Sequence, residues 1–142
     1  MDECLFSSKT VEWETPQDLF DKLNSEFRFT LDPCATAENA KCRKYYTKGQ
    51  DGLLQDWTGE TVYCNPPYGR QMANWIRKCY QHWLSGGVAV MLIPARTDTK
   101  AFHEYIYGKA EIRFIKGRLR FGNAQQNAPF PSMIVIYRKE QE

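Results

Sequence analysis

The chain has 142 residues, 42% apolar and 14% aromatic, with 19 Lys and Arg against 17 Asp and Glu for a formal net charge of +2. That composition fits one globular domain with its own core and excludes a disordered chain. No apolar run approaches the ~18 residues of a membrane span, and a near-neutral balance permits a nucleic-acid face without demanding one.

Asp2 and Glu3 stand where a secretory leader would be basic, so a cytoplasmic protein is expected. The five cysteines, Cys4, Cys34, Cys42, Cys64 and Cys79, are odd in number and form no CxxC pair. Free, mostly buried thiols are expected, and His82 and His103 pair with no cysteine at zinc-finger spacing, so no metal site is.

Residues 1–12 read as a loose N-terminal arm and 13–142 as a single domain. Thr15-Pro16 opens a helix, with Thr15 as its cap, Pro16 at the first helical position and Leu19, Phe20, Leu23 and Phe27 on one face. Phe27 to Leu31 alternates as a short strand that stops at Asp32-Pro33. Residues 34–60 are polar and broken, with room for a small helix around Ala37–Tyr46. A strand at Thr61–Cys64 runs into Asn65-Pro66-Pro67-Tyr68-Gly69, where two prolines end it. A helix follows from about Gln71 to Leu84, with Met72, Ile76, Cys79 and Trp83 at helical spacing and Gly86-Gly87 closing it. Trp75 and Trp83 belong to the core on this reading. Val88–Ile93 reads as a buried parallel strand stopped by Pro94. Thr97 or Asp98 caps another helix holding Phe102, Tyr105 and Ile106. Ile112–Phe121 and Met133–Tyr137 complete the set as two strands that pair antiparallel.

This alternation predicts an α/β domain with a mostly parallel sheet. In open α/β sheets ligands bind beyond the C-terminal strand ends, where Asp32 and Asn65 both fall. Asn-Pro-Pro-Tyr is the sharpest motif. An amine conjugated to a ring is a poor nucleophile until an acceptor draws on each of its hydrogens. The Asn65 side-chain oxygen supplies one acceptor and the Pro66 carbonyl another, with proline holding the backbone at φ near about −65° beforehand. Tyr68 offers a ring on which an extruded base stacks. The plain alternative is a strand-ending turn.

The ordered pieces Trp13-Glu-Thr-Pro16, Leu31-Asp-Pro-Cys-Ala35, Asp51-Gly-Leu with Asp56-Trp57, Tyr63-Cys-Asn-Pro-Pro-Tyr-Gly69, Leu92-Ile-Pro-Ala-Arg-Thr-Asp-Thr99 and Gly117-Arg-Leu-Arg-Phe121 give the chain its family likeness. From about Val11 to Tyr137 it resembles the phage-type N6-adenine DNA methyltransferases, the phage Dam family. The resemblance implies a reduced Rossmann-like S-adenosylmethionine-dependent methyltransferase fold with a C-terminal antiparallel hairpin. It implies S-adenosylmethionine as methyl donor, DNA as substrate, and the host cytoplasm as location if the gene belongs to a phage or prophage. Asn65, Pro66, Pro67 and Tyr68 match the catalytic motif. Trp13, Thr15 and Pro16 match a segment at the methionine end of the donor; Asp32, Cys34 and Ala35 match the first cofactor motif; Asn65 borders it. Asp51 and Asp56 compete for the contact to the donor's adenine amine.

Two features depart from the family pattern. The loop Asp32-Pro-Cys-Ala-Thr-Ala37 lacks glycine, so its backbone approaches a ligand less closely. No segment is large enough for a separate target-recognition domain. The cations Arg113, Lys116, Arg118 and Arg120, with Arg70, Arg77 and Lys78, then form either a phosphate-binding rim or a solvated face. Arg70, Arg118 and Arg120 are the chosen DNA contacts, and Arg96 has no assigned role. Rival readings are methylation of a protein glutamine amide or of RNA adenine, and a non-catalytic nucleic-acid-binding remnant. No motif speaks to oligomeric state.

Overall fold

The structure, a computed structural model, describes residues 13–122 and 126–139; the arm expected over 1–12 and Cys4 lie outside the described residues. The first helix, α1, is Gln17–Phe27 and buries Phe20 and Leu23. Its N-cap is Pro16, with no side-chain cap. The cap expected of Thr15 is therefore wrong: its hydroxyl bonds Tyr63 instead. At the other end Arg28 turns left-handed at φ 58, and the Asn24 carbonyl and side chain accept from Arg28 N and Phe29 N, both at 2.8 Å. This closure keeps Phe27 helical, so the expected strand from Phe27 shrinks to β1, Leu31–Asp32.

The small helix expected around Ala37–Tyr46 does not form. Thr36 N donates to Asn39 Oδ1 at 2.7 Å and Asn39 N to Thr36 Oγ1 at 3.1 Å, a reciprocal turn that competes with helical bonding. The chain instead adds β2, Lys44–Tyr45, parallel to β1. A short 3-10 turn, Gly52–Leu54, packs so closely that a Cβ on Gly52 would lie 2.0 Å from the Pro33 carbonyl oxygen.

β3, Thr61–Cys64, and β4, Val88–Pro94, are parallel neighbours joined by α2, Met72–Leu84. Beyond β4 the expected helix is one π-helical turn, Phe102–Ile106; Thr99 Oγ1, not Thr97 or Asp98, accepts from Phe102 N at 3.2 Å. β5 is Glu111–Phe114 only, so Arg118 and Arg120 do not share a strand face as expected; Gly117, at φ 76, turns the chain just before them. β6, Ser132–Tyr137, runs antiparallel to β4 on one side and β5 on the other.

The result is a mixed α/β architecture around one six-stranded sheet in the order β2-β1-β3-β4-β6-β5. Strand alternation sends side chains to two cores. Val62, Cys64, Met91 and Val135 join Trp75, Ile76 and Cys79 of α2 on one face; Tyr63, Val90, Leu92 and Ile134 join Phe20 and Leu23 of α1 on the other. Trp83 packs at the margin of the α2 core. Cys34, Cys42, Cys64 and Cys79 are free thiols. Among the described residues no helix is long and apolar enough to cross a membrane, and no cluster of His, Cys, Asp and Glu could hold a metal ion.

Candidate active site

Parallel pairing brings the C-terminal ends of β1, β3 and β4 to one edge of the sheet. Asp32 ends β1, and Asn65 follows the last residue of β3. Trp13, Glu14, Thr15, Asp32, Cys34, Asn39, Lys41, Tyr63, Asn65 and Pro67 line a cleft there. Its volume is about 30 Å³, room for about two water molecules.

Asn65 is tied on both sides. Its Nδ2 donates to the Trp13 carbonyl and, at 3.2 Å, to Thr15 Oγ1, while its Oδ1 accepts from the Tyr68 hydroxyl at 3.5 Å. Thr15 Oγ1 and Tyr63 Oη lie 2.5 Å apart, with both residues buried. Phe20 and Phe29 wedge the Tyr63 ring, with centroids at 5.2 and 5.3 Å. The Gly122 amide donates to the Glu14 carbonyl at 2.9 Å, lacing the same segment to the far side of the site.

Asp32 is 4% exposed, and its carboxylate accepts from Lys41 N at 3.0 Å and Cys34 N at 3.4 Å. Burial pushes its carboxyl up to about 6, against the pull of these two amides and the Lys41 charge. A buried carboxylate short of charge compensation is a place for a cation.

Tyr68 stands outside the cleft in an aromatic group. Its centroid is 5.3 Å from Phe130, 6.5 Å from Phe121 and 6.5 Å from Trp13, to which it is stacked; Trp13 is 5.2 Å from Phe121. Burial raises the Tyr68 hydroxyl well above the ordinary phenol value, with the Arg96 guanidinium pulling it back, so it stays protonated at neutral pH.

Of the residues chosen from sequence, Trp13, Thr15, Asp32, Cys34, Asn65 and Pro67 share the cleft. Pro16, Ala35, Pro66, Asp51 and Asp56 do not line it. Asp51 Oδ1 accepts from Leu53 N at 3.1 Å, and Asp56 Oδ1 accepts from Thr58 N at 3.0 Å and Thr58 Oγ1 at 2.6 Å. Each carboxylate is spent on its own turn. Sequence reasoning passed over Tyr63, Phe121 and Phe130. A hydroxyl-tipped ring two residues before Asn65, hence on the same side of the strand, was the available signal for Tyr63.

The cations also divide. Arg113 pairs with Glu26 and Glu111 at 2.8 Å each, and Arg138 with the same two at 2.9 and 3.0 Å. Lys78 is turned inward, donating to the Gln55 carbonyl at 2.8 Å over the Trp57 ring. Arg113 and Lys78 are thus withdrawn from any phosphate rim. Arg70, Arg118 and Arg120 are exposed and have no carboxylate partner among the described residues.

A family model described as DNA N-6-adenine-methyltransferase (Dam) matches residues 5–142. A DNA N-6-adenine-methyltransferase of Escherichia phage T1 is 31% identical over 110 residues, covering 75% of this chain and 45% of that protein. A protein of Escherichia coli (strain K12) named as the methyltransferase YfdM is 36% identical over 64 residues, covering 40% of this chain and 70% of its own length. The chain thus spans less than half the length of the phage T1 relative. On the strength of a match that runs nearly end to end, the chain belongs to the DNA N-6-adenine-methyltransferase (Dam) family.

Proposed function

We propose that this chain transfers a methyl group from S-adenosylmethionine to N6 of adenine in DNA, on a reduced Rossmann-like methyltransferase domain spanning residues 13–142. The observation that carries the reading is the Asn65 amide. It sits at the end of a central parallel strand with its nitrogen committed to the protein and its oxygen turned toward the Tyr68 hydroxyl.

The cleft's donor set fits the methyl donor. Asp32 suits a cationic amine, Thr15 and Cys34 offer polar groups, and Trp13 offers an apolar cover. Pro16 and one of Asp51 and Asp56 are second-rank contacts on this reading, because none of them lines the cleft. When bound, the sulfonium donor supplies an electrophilic methyl group. The protein's task is then positioning and preorganisation. Asn65 Oδ1 and the Pro66 carbonyl accept from the two N6 hydrogens and localise the nitrogen lone pair; Pro66 and Pro67 hold the turn; Tyr68 stacks on the extruded base. No ionised base is required, since the proton leaves an amine that has become cationic by attack. Arg70, Arg118 and Arg120 contact phosphates.

Incubation with labelled donor and plasmid DNA, followed by nucleoside analysis, tests the reading. Label in N6-methyladenine is the expected result. An unlabelled plasmid refutes it, and label in added RNA or protein moves the activity to another substrate class.

A further inference from the structure

A carboxamide has nearly the same shape after a half-turn about its last bond, yet the turn exchanges an acceptor for two donors. For Asn65 the distinction decides everything: the flipped amide would aim N–H groups at an amine that itself needs acceptors. Something in the fold must choose, and the choice is visible around Nδ2.

The Trp13 carbonyl has lone pairs only and demands a donor from Asn65. Thr15 Oγ1 accepts from Nδ2 at 3.2 Å and, as a hydroxyl, could face either end of an amide, so it fixes where Nδ2 sits and leaves the choice of polarity to the Trp13 carbonyl. Thr15 Oγ1 is buried and lies 2.5 Å from the Tyr63 hydroxyl, either of which can be the donor, and Tyr63 is itself 1% exposed, so packing holds the pair in place. The phenylalanines at 20 and 29 fix the Tyr63 ring. We propose that the Trp13 carbonyl sets the polarity of the Asn65 amide and that Thr15 and Tyr63 are positioning residues that hold Nδ2 against it, so that Oδ1 faces the target amine. This rests on the adenine-methylation reading for its catalytic consequence, while the clamp itself is a property of the folded protein.

The clamp explains why this chain carries Asn and not Asp at 65. A carboxylate would set an oxygen against the Trp13 carbonyl; a protonated carboxyl could donate to it. Asn65→Asp should therefore melt close to wild type at about pH 5 and fall progressively below it toward about pH 8. The sign follows from a folded-state pKa raised above the unfolded value: the contribution is present at low pH and lost as pH rises through the folded pKa. Asp32, Glu14 and Lys41 in the cleft, the Tyr63 and Tyr68 hydroxyls, and Arg96 beside Tyr68 all face this region. They are common to both proteins, so the comparison is made against wild type at each pH.

The kinetic arm uses Thr15→Val, Thr15→Ser and Tyr63→Phe. Single-turnover methyl transfer should drop about tenfold in Thr15→Val and Tyr63→Phe, the worth of one neutral hydrogen bond, with KM for DNA unchanged. Thr15→Ser restores it. A pH-independent melting gap for Asn65→Asp, or full rates in both Thr15→Val and Tyr63→Phe, overturns the clamp. Wild-type protein that leaves adenine unmethylated overturns the activity and the kinetic half with it, whereas a pH-dependent melting gap in that same protein still supports the clamp.

Discussion

Replacing Asp32 by Asn should stabilise the protein at neutral pH and abolish its capacity for a cationic ligand. Burial raises this carboxyl from 3.8 to about 6, which at about 1.4 kcal/mol per factor of ten corresponds to roughly 3 kcal/mol against the charged form. Because the folded-state value lies above the unfolded one, the stability Asp32 contributes is present below about pH 4 and disappears as pH climbs through about 6. An asparagine carries no such penalty. It has one oxygen for two amides, so the weaker bond, from Cys34 N at 3.4 Å, is the one it forfeits, at about 1 kcal/mol. The net expectation is a variant about 2 kcal/mol more stable than wild type at about pH 8 and no more stable at about pH 4.5. Urea unfolding across that range measures the gap directly. In wild type, binding of S-adenosylmethionine should strengthen with pH through about 6 as Asp32 ionises, and calorimetry on the variant should show the affinity lost. A stability gap that is constant with pH would falsify the assignment of Asp32 as a buried carboxylate that ionises near neutrality.

Three further perturbations separate the other parts of the site. Tyr68→Phe gives up only a 3.5 Å contact to Asn65 and should remain active, whereas Tyr68→Ala should lose about 1–3 kcal/mol of stacking in single-turnover assays, less on a mismatched target whose base is already loose. Arg118→Ala with Arg120→Ala should weaken DNA binding uniformly across sequences and reduce the slope of log affinity against log salt by about 2; an unchanged slope places both outside the interface. Gly52→Ala forces a Cβ to within 2.0 Å of the Pro33 carbonyl and should cost at least about 1–3 kcal/mol in a thermal melt, with a wild-type melting temperature counting against the tight packing of that turn.

The elements legible from sequence are those whose patterns are local and strong. β3, α2, β4 and β6 are apolar runs or amphipathic repeats bounded by proline or glycine, and each lies within two residues of its expected limits. β2 was illegible because Lys44 and Tyr45 are held there by backbone bonds to β1, not by an apolar pattern. Asn65 announced itself through its two prolines. Tyr63 did not, because its hydroxyl matters only through Thr15, 48 residues away in sequence. Phe121 and Phe130 became visible as neighbours of Tyr68 only once the chain after β5 was folded back over Trp13. Charge misled for the same reason. Arg113 reads as part of a basic run, yet its partner Glu26 lies 87 residues earlier, on α1.

The place of β6 has a consequence for how the chain is born. It is the last strand among the described residues, but it occupies an interior position, and residues 132–137 pair with six of the seven residues of β4. As the ribosome advances at about 5–20 residues per second, β4 emerges seconds before its cover. During that interval a strand of almost unbroken aliphatic side chains presents an open hydrogen-bonding edge, the kind of template that recruits other nascent chains. Synthesis is thus a race between elongation and aggregation. Slowing translation after codon 94 should lower soluble yield without altering the stability of the molecules that do finish.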